Sequence, residues 1–212
     1  MSAVGLVLLV AACAAFVDWW VVHTERRSVE RVAKPLTMVL LVVLASVAGD
    51  ASTVVRALVV VGAVSGVIGD IALLGSSWRA FLAGLVAFGI GHTAYTAAAV
   101  ALGIGPTAVF GAVMALLLLS YRFIPRVVPA ARESGGTLMV TAVLIYATII
   151  AAMVTTAAGT GLWVAACGAL LFALSDWVLG QRQFLGSDKF PRLAVMVPYH
   201  VGQTLLIVGF LT

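Results

Sequence analysis

Eight stretches of almost unbroken apolar sequence leave this chain few ways to fold. Divided at its charges, prolines and glycines, they cover residues 3–22, 35–48, 53–74, 78–101, 105–123, 136–158, 160–179 and 193–211. Most approach the ~20 residues that cross ~30 Å of hydrocarbon at 1.5 Å per residue, and the second is the shortest. Lipid offers backbone groups no partners, so such runs must be helices or barrel strands, and continuous apolarity without alternation selects helices. With 63% hydrophobic and 9% charged residues, the chain also lacks the polar surface that a water-exposed globule needs. The expectation is an all-α membrane protein, with eight transmembrane helices in one bundle. Residues 1–212 form a single integral membrane domain, and no linker is long enough to set a soluble domain apart.

The first run competes with a signal peptide. No Lys or Arg precedes it, the basic cluster Arg26, Arg27, Arg31 and Lys34 follows it, and Asp18-Trp19-Trp20 reads as an interfacial helix end. It is therefore taken as a membrane helix. Cys13 and Cys167 fall within apolar runs, which leaves neither a disulfide framework nor a CxxC metal site.

The positions of Lys and Arg set the orientation. Arg26, Arg27, Arg31 and Lys34 follow the first run, Arg79 the third, Arg122, Arg126 and Arg132 the fifth, and Arg182, Lys189 and Arg192 the seventh, while Arg56 stands alone on the other side. Eleven against one is a strong positive-inside signal, which puts both termini outside and the basic loops in the cytoplasm of a bacterial-type plasma membrane. The same placement accounts for the net charge of +4: these residues face anionic lipid headgroups, and no aromatic-interleaved basic patch points to nucleic acid.

Ionisable groups inside membrane spans cost about 2.5–3.5 kcal/mol on insertion scales and are usually functional. Asp70, in Gly69-Asp70-Ile71-Ala72-Leu73-Leu74, lies four residues before its run stops, and Asp176, in Ser175-Asp176-Trp177-Val178-Leu179, lies three before its own. Both runs head inward under the charge rule, so the carboxylates are expected at matched depth near the cytoplasmic face. An Asp-x-x-Leu pattern recurring four helices apart allows two four-helix parallel repeats, with the aspartates face to face. The competing reading of either aspartate is an interfacial cap.

Further polar residues converge on that level. Lys34 opens the second run next to Pro35, and suits a snorkelling role as well as a functional one. Tyr199 and Gln203, at i and i+4, share a face of the last helix, as do His92 and Tyr95 at i and i+3 of the fourth, where His92 is expected deeper than the aspartates. Tyr146 reads as a core tyrosine, and Asp18 and Asp50 as interfacial. His23 sits in a basic loop, and His200, next to Tyr199, faces away from it. No His-x-x-x-His or other zinc motif is present, so no metal and no cofactor is expected, although Asp70, Asp176 and His92 remain an alternative ligand set.

Lys34-Pro35, Gly69-Asp70 with Leu73-Leu74, the run Phe81, Gly84, Phe88, His92 and Tyr95, Ser175-Asp176 with Phe184, and the closing Tyr199 and Gln203 together resemble the lysoplasmalogenase family of YhhN-like membrane proteins. Asp18 and His200 have no counterpart in that pattern. The resemblance implies an enzyme that takes a lysophospholipid substrate from the membrane lipids. It would cleave the vinyl ether of a lysoplasmalogen to a fatty aldehyde and a glycerophospho-ethanolamine or choline. It places Asp70 and Asp176 in the active site, supported by Lys34, His92, Tyr95, Tyr199 and Gln203. Chemistry independently fits two carboxyls: a vinyl ether hydrolyses once a carbon of its double bond takes a proton and water captures the oxocarbenium ion, so one acid and one base suffice. Lys34 suits either the ionised carboxylate or a lipid phosphate. A proton- or cation-coupled transporter of small molecules or lipids is the alternative. Oligomeric state is not legible in the sequence.

Overall fold

The structure, a computed structural model, describes residues 2–186 and 190–212, with Arg122 described through its backbone, so Lys189 of the basic count lies outside the described residues. The chain runs through α1 (Ala3–His23), α2 (Arg27–Val47), α3 (Thr53–Leu73), α4 (Trp78–Leu102), α5 (Ala108–Leu118), a π-helical segment (Leu119–Val127), α6 (Val128–Gly159), α7 (Trp163–Leu185) and α8 (Leu193–Leu211). Serines start three of these helices. Ser2, Ser52 and Ser77 each accept a hydrogen bond from the backbone N–H three residues on, which satisfies one orphan donor of α1, α3 and α4.

Several helix ends depart from the apolar runs. α2 starts two turns before Pro35, so this proline lies inside the helix and not in its first turn. The physical reason is packing: Glu30, Ala33, Lys34, Thr37 and Met38 form a buried face, and the charged turns stay helical because that face is held. The fifth run continues as the π-helical segment around Pro125, whose missing N–H a widened turn accommodates. α6 is interrupted at Gly135 and Gly136, the latter at φ 62°, a left-handed conformation that glycine adopts without steric cost. α7 runs on to Leu185, six residues beyond the end of its apolar run.

Six helical stretches are long and apolar enough to cross a membrane: Ala3–His23, Thr53–Leu73, Trp78–Leu102, Ala108–Gly159, Trp163–Leu185 and Leu193–Leu211. The eightfold count expected from the runs is not what length and composition return. The early turns of α2 carry Arg27, Glu30, Arg31 and Lys34, and α5 passes through the π-helical segment into α6 with no loop between them. Outward-facing side chains such as Phe16, Val54, Val86, Phe110, Leu116 and Leu138 are exposed in the manner of a lipid-facing surface. The molecule is an all-α, multi-pass membrane protein.

α3 packs most extensively on α4 and α7 on α8, followed by α1 on α2 and α5 on α6. Close approach of α7 and α8 depends on small residues. A Cβ on Gly168 would lie 2.5 Å from the backbone N of Leu206, and one on Gly202 2.8 Å from that of Phe172. The core between α2, α3, α4, α7 and α8 is filled by Met38, Leu41, Tyr95, Phe172, Leu206 and Ile207.

Candidate active site

Two buried carboxylates each sit at the centre of a separate hydrogen-bonded group. Asp70 of α3 has no exposure, pairs with Lys34 Nζ of α2 at 3.2 Å, and accepts from the Tyr199 hydroxyl of α8 at 3.0 Å. Asp176 of α7 is 8% exposed, and its Oδ2 accepts from the Tyr146 hydroxyl of α6 at 3.0 Å. His92 Nε2 of α4 lies 3.0 Å from the same oxygen and 3.1 Å from the Tyr146 hydroxyl. A cation therefore faces Asp70, whereas a phenol and an imidazole face Asp176.

Between the two groups stands an aromatic wall. The Phe172 ring is 4.5 Å from that of His92 and 5.2 Å from that of Tyr199, while Phe88 lies edge-on to both Phe172 and Tyr199. Tyr199 is hydrogen-bonded to Asp70 and within electrostatic reach of Asp176. Beside it, Gly66 leaves room for the site, since a Cβ there would come within 3.3 Å of the Tyr199 hydroxyl. Each aspartate thus has its own partners in place of the direct face-to-face arrangement expected. Their places along the helices differ too: Asp70 is three residues before the end of α3 and Asp176 nine before that of α7.

The remaining expected residues are all buried. Tyr95 and Gln203 bond each other, hydroxyl to Oε1 at 2.6 Å, tying α4 to α8, and touch neither carboxylate. His92, expected deeper than the aspartates, meets Asp176 across α4 and α7, its Nε2 3.0 Å from Oδ2. Tyr146, read from sequence as a core tyrosine, is a direct donor to Asp176. Asp18, read as interfacial, is fully buried on the inward face of α1 with Ala11, Ala15 and Val22. Glu30, one turn from Lys34, pairs with Arg192 and was legible only as a helical neighbour of that lysine. Among the described residues, no three His, Cys, Asp or Glu side chains gather as a metal site.

Two spaces of opposite character adjoin the site. A polar cavity of about 590 Å³ is lined by Arg27, Glu30, Arg31, Lys34, Arg182 and Arg192, among others. A narrow apolar cleft between α5, the π-helical segment, α6 and α7 is lined by Leu118, Phe123, Val143 and Phe184, and includes Tyr146 and Asp176. Phe81 and Leu179 line both.

No curated protein and no solved structure matches this sequence. The sequence model of the YhhN family matches it over residues 29–210, from early α2 to the last turn of α8, including every residue of the two carboxylate groups. The chain belongs to the YhhN family, the family of lysoplasmalogenases.

Proposed function

We propose that this protein hydrolyses the vinyl ether of lysoplasmalogens by carboxyl acid-base catalysis near the cytoplasmic face. The observation that carries the reading is the unlike setting of two buried carboxylates beside a polar cavity and an apolar cleft that meet at Phe81 and Leu179. A lysophospholipid is itself divided in this way. Its phosphate suits the basic cavity, its chain suits the cleft, and its ether linkage falls at the junction. Asp176, which lines the cleft and is met by the Tyr146 phenol and the His92 imidazole, is assigned as the acid that protonates the vinyl carbon. Asp70, paired with Lys34, takes a proton from the water that captures the oxocarbenium ion. The hemiacetal then collapses to a fatty aldehyde and the glycerophospho-ethanolamine or choline. Neither step needs a protein nucleophile.

We also read the bundle as eight crossings in two parallel four-helix repeats, with basic loops in the cytoplasm. Supporting the crossings, Ala108–Gly159 spans 52 residues and is broken at Gly135 and Gly136, more chain than the ~20 residues one crossing needs. Supporting the repeat, a shift of four helices relates the groups. Asp70 on α3 is met from α2 and α8, and Asp176 on α7 from α6 and α4. This arrangement, with its buried ion pair, equally favours a proton-coupled transporter as a second reading.

Aldehyde release from a purified lysoplasmalogen decides between them. Wild type is expected to yield aldehyde, and Asp70→Asn and Asp176→Asn each to lose about 10²–10⁴ in rate while staying folded in detergent. The double variant should be barely worse than either single, because the pair acts as a unit. Near wild-type turnover in a folded single variant removes that aspartate from the pair. Absence of product with wild type favours the transporter.

A further inference from the structure

The cavity assigned to the lipid phosphate carries more positive charge than one phosphate needs. Arg27, Arg31 and Lys34, at i, i+4 and i+7 along α2, line it together with Arg182 of α7 and Arg192 at the start of α8. Five basic side chains thus surround a single carboxylate, that of Glu30. This carboxylate is occupied, because Glu30 pairs with Arg192, and Lys34 likewise pairs with Asp70. Arg27 and Arg31 are exposed and form no ion pair among the described residues. On the same wall Ser77 opens α4, whose N-terminal end adds further positive potential.

Resting on the hydrolase reading above, we infer that the head group this cavity prefers is phosphoglycerol, an anionic head with no amine. An ethanolamine or choline head brings a cation into the cavity beside its phosphate. Among the described residues the one carboxylate of the wall is held by Arg192, so that cation gains no partner and confronts Arg27 and Arg31. A phosphoglycerol head carries hydroxyls in the place of the amine and leaves its whole negative charge to the wall. Ser76, Ser77 and Gln183 are the uncharged polar side chains of that wall, and each can bond a hydroxyl. A bare phosphate monoester supplies the charge but gives these three nothing to meet. Lipids with amine heads stay substrates, held through the phosphate alone and turned over less efficiently.

Three lysoplasmalogens that share one vinyl ether chain and carry ethanolamine, choline or glycerol on the phosphate test this, each at the same surface fraction in an uncharged detergent. In wild type, aldehyde release from the glycerol lipid is expected to exceed that from either amine lipid about threefold to tenfold in kcat/KM, mainly through KM. Arg27→Gln combined with Arg31→Gln should bring the three values together, and Arg31→Glu should turn the preference toward ethanolamine. Both positions are exposed, and thermal unfolding in detergent checks that the fold is kept. Equal kcat/KM for the three heads in wild type, a preference for an amine head, or a glycerol preference that survives in the folded variants overturns the inference and leaves the hydrolase standing. Wild type that releases aldehyde from none of the three overturns both.

Discussion

Asp70 and Asp176 were legible in the sequence because a charge within an apolar run has almost no structural reason to be there. Tyr146 was not, because a tyrosine in mid-span looks the same whether its hydroxyl meets a carboxylate or a backbone carbonyl. Asp18 was missed for a different reason: it lies near the end of a run, where an aspartate is cheap, and only the packing of α1 against α2 and α8 buries it. The Tyr146 hydroxyl donates to Asp176 Oδ2 at 3.0 Å and also faces His92. Tyr146→Phe removes that donor and keeps the ring. The expected result is a fall in kcat of about tenfold to a hundredfold at nearly unchanged Tm, measured as aldehyde release alongside thermal unfolding in detergent. An unchanged kcat would return this tyrosine to a packing role.

The apolar runs located the helices well and their ends poorly. Hydropathy records what lipid tolerates, but a helix continues wherever its inward face is held, as at Arg27–Lys34 in α2 and Gly180–Leu185 in α7. The π-helical segment and the break at Gly135–Gly136 were also beyond a hydropathy reading, since both depend on local backbone geometry within otherwise helical sequence. Glycine placement is more informative for the α7–α8 pair. With Gly202 packed against the backbone of Phe172 and Gly168, Gly202→Val must push α8 outward. A loss of about 1–3 kcal/mol is expected, read as a lower Tm. Activity should fall with it, because α8 carries Tyr199 to Asp70. A Tm equal to wild type would mean the two helices tolerate separation.

Taken together, the helices bring to one bundle core Lys34, Asp70, His92, Tyr146, Asp176 and Tyr199, six side chains from six different helices, and for all but Tyr146 this convergence was foreshadowed by the spacing of polar residues across the runs. Pairing was not foreshadowed. Sequence spacing gives a residue's height along its helix, but not which neighbour it meets across the bundle. The proposed orientation rests on charge alone, and is tested in a protein whose Cys13 and Cys167, both exposed, have been replaced. A cysteine at Glu133, an exposed position early in α6, should react with an impermeant thiol reagent only after the cytoplasmic side is opened, and one at Asp50 should react in intact cells. The reverse pattern would invert the bundle and place the carboxylates near the outer face.

The charged first half of α2 bears on how such a chain is made. On the eight-crossing reading proposed above, α2 enters the membrane with Glu30 and Lys34 aboard, each a costly passenger for a lone helix. The partner of Lys34 arrives with the very next helix, as Asp70 of α3. Glu30 waits 162 residues for Arg192. The last helix also delivers Tyr199 to Asp70 and Gln203 to Tyr95. The last helix therefore adds to the packed α2, α3 and α4 the hydrogen bonds to Asp70 and Tyr95 that no earlier helix supplies.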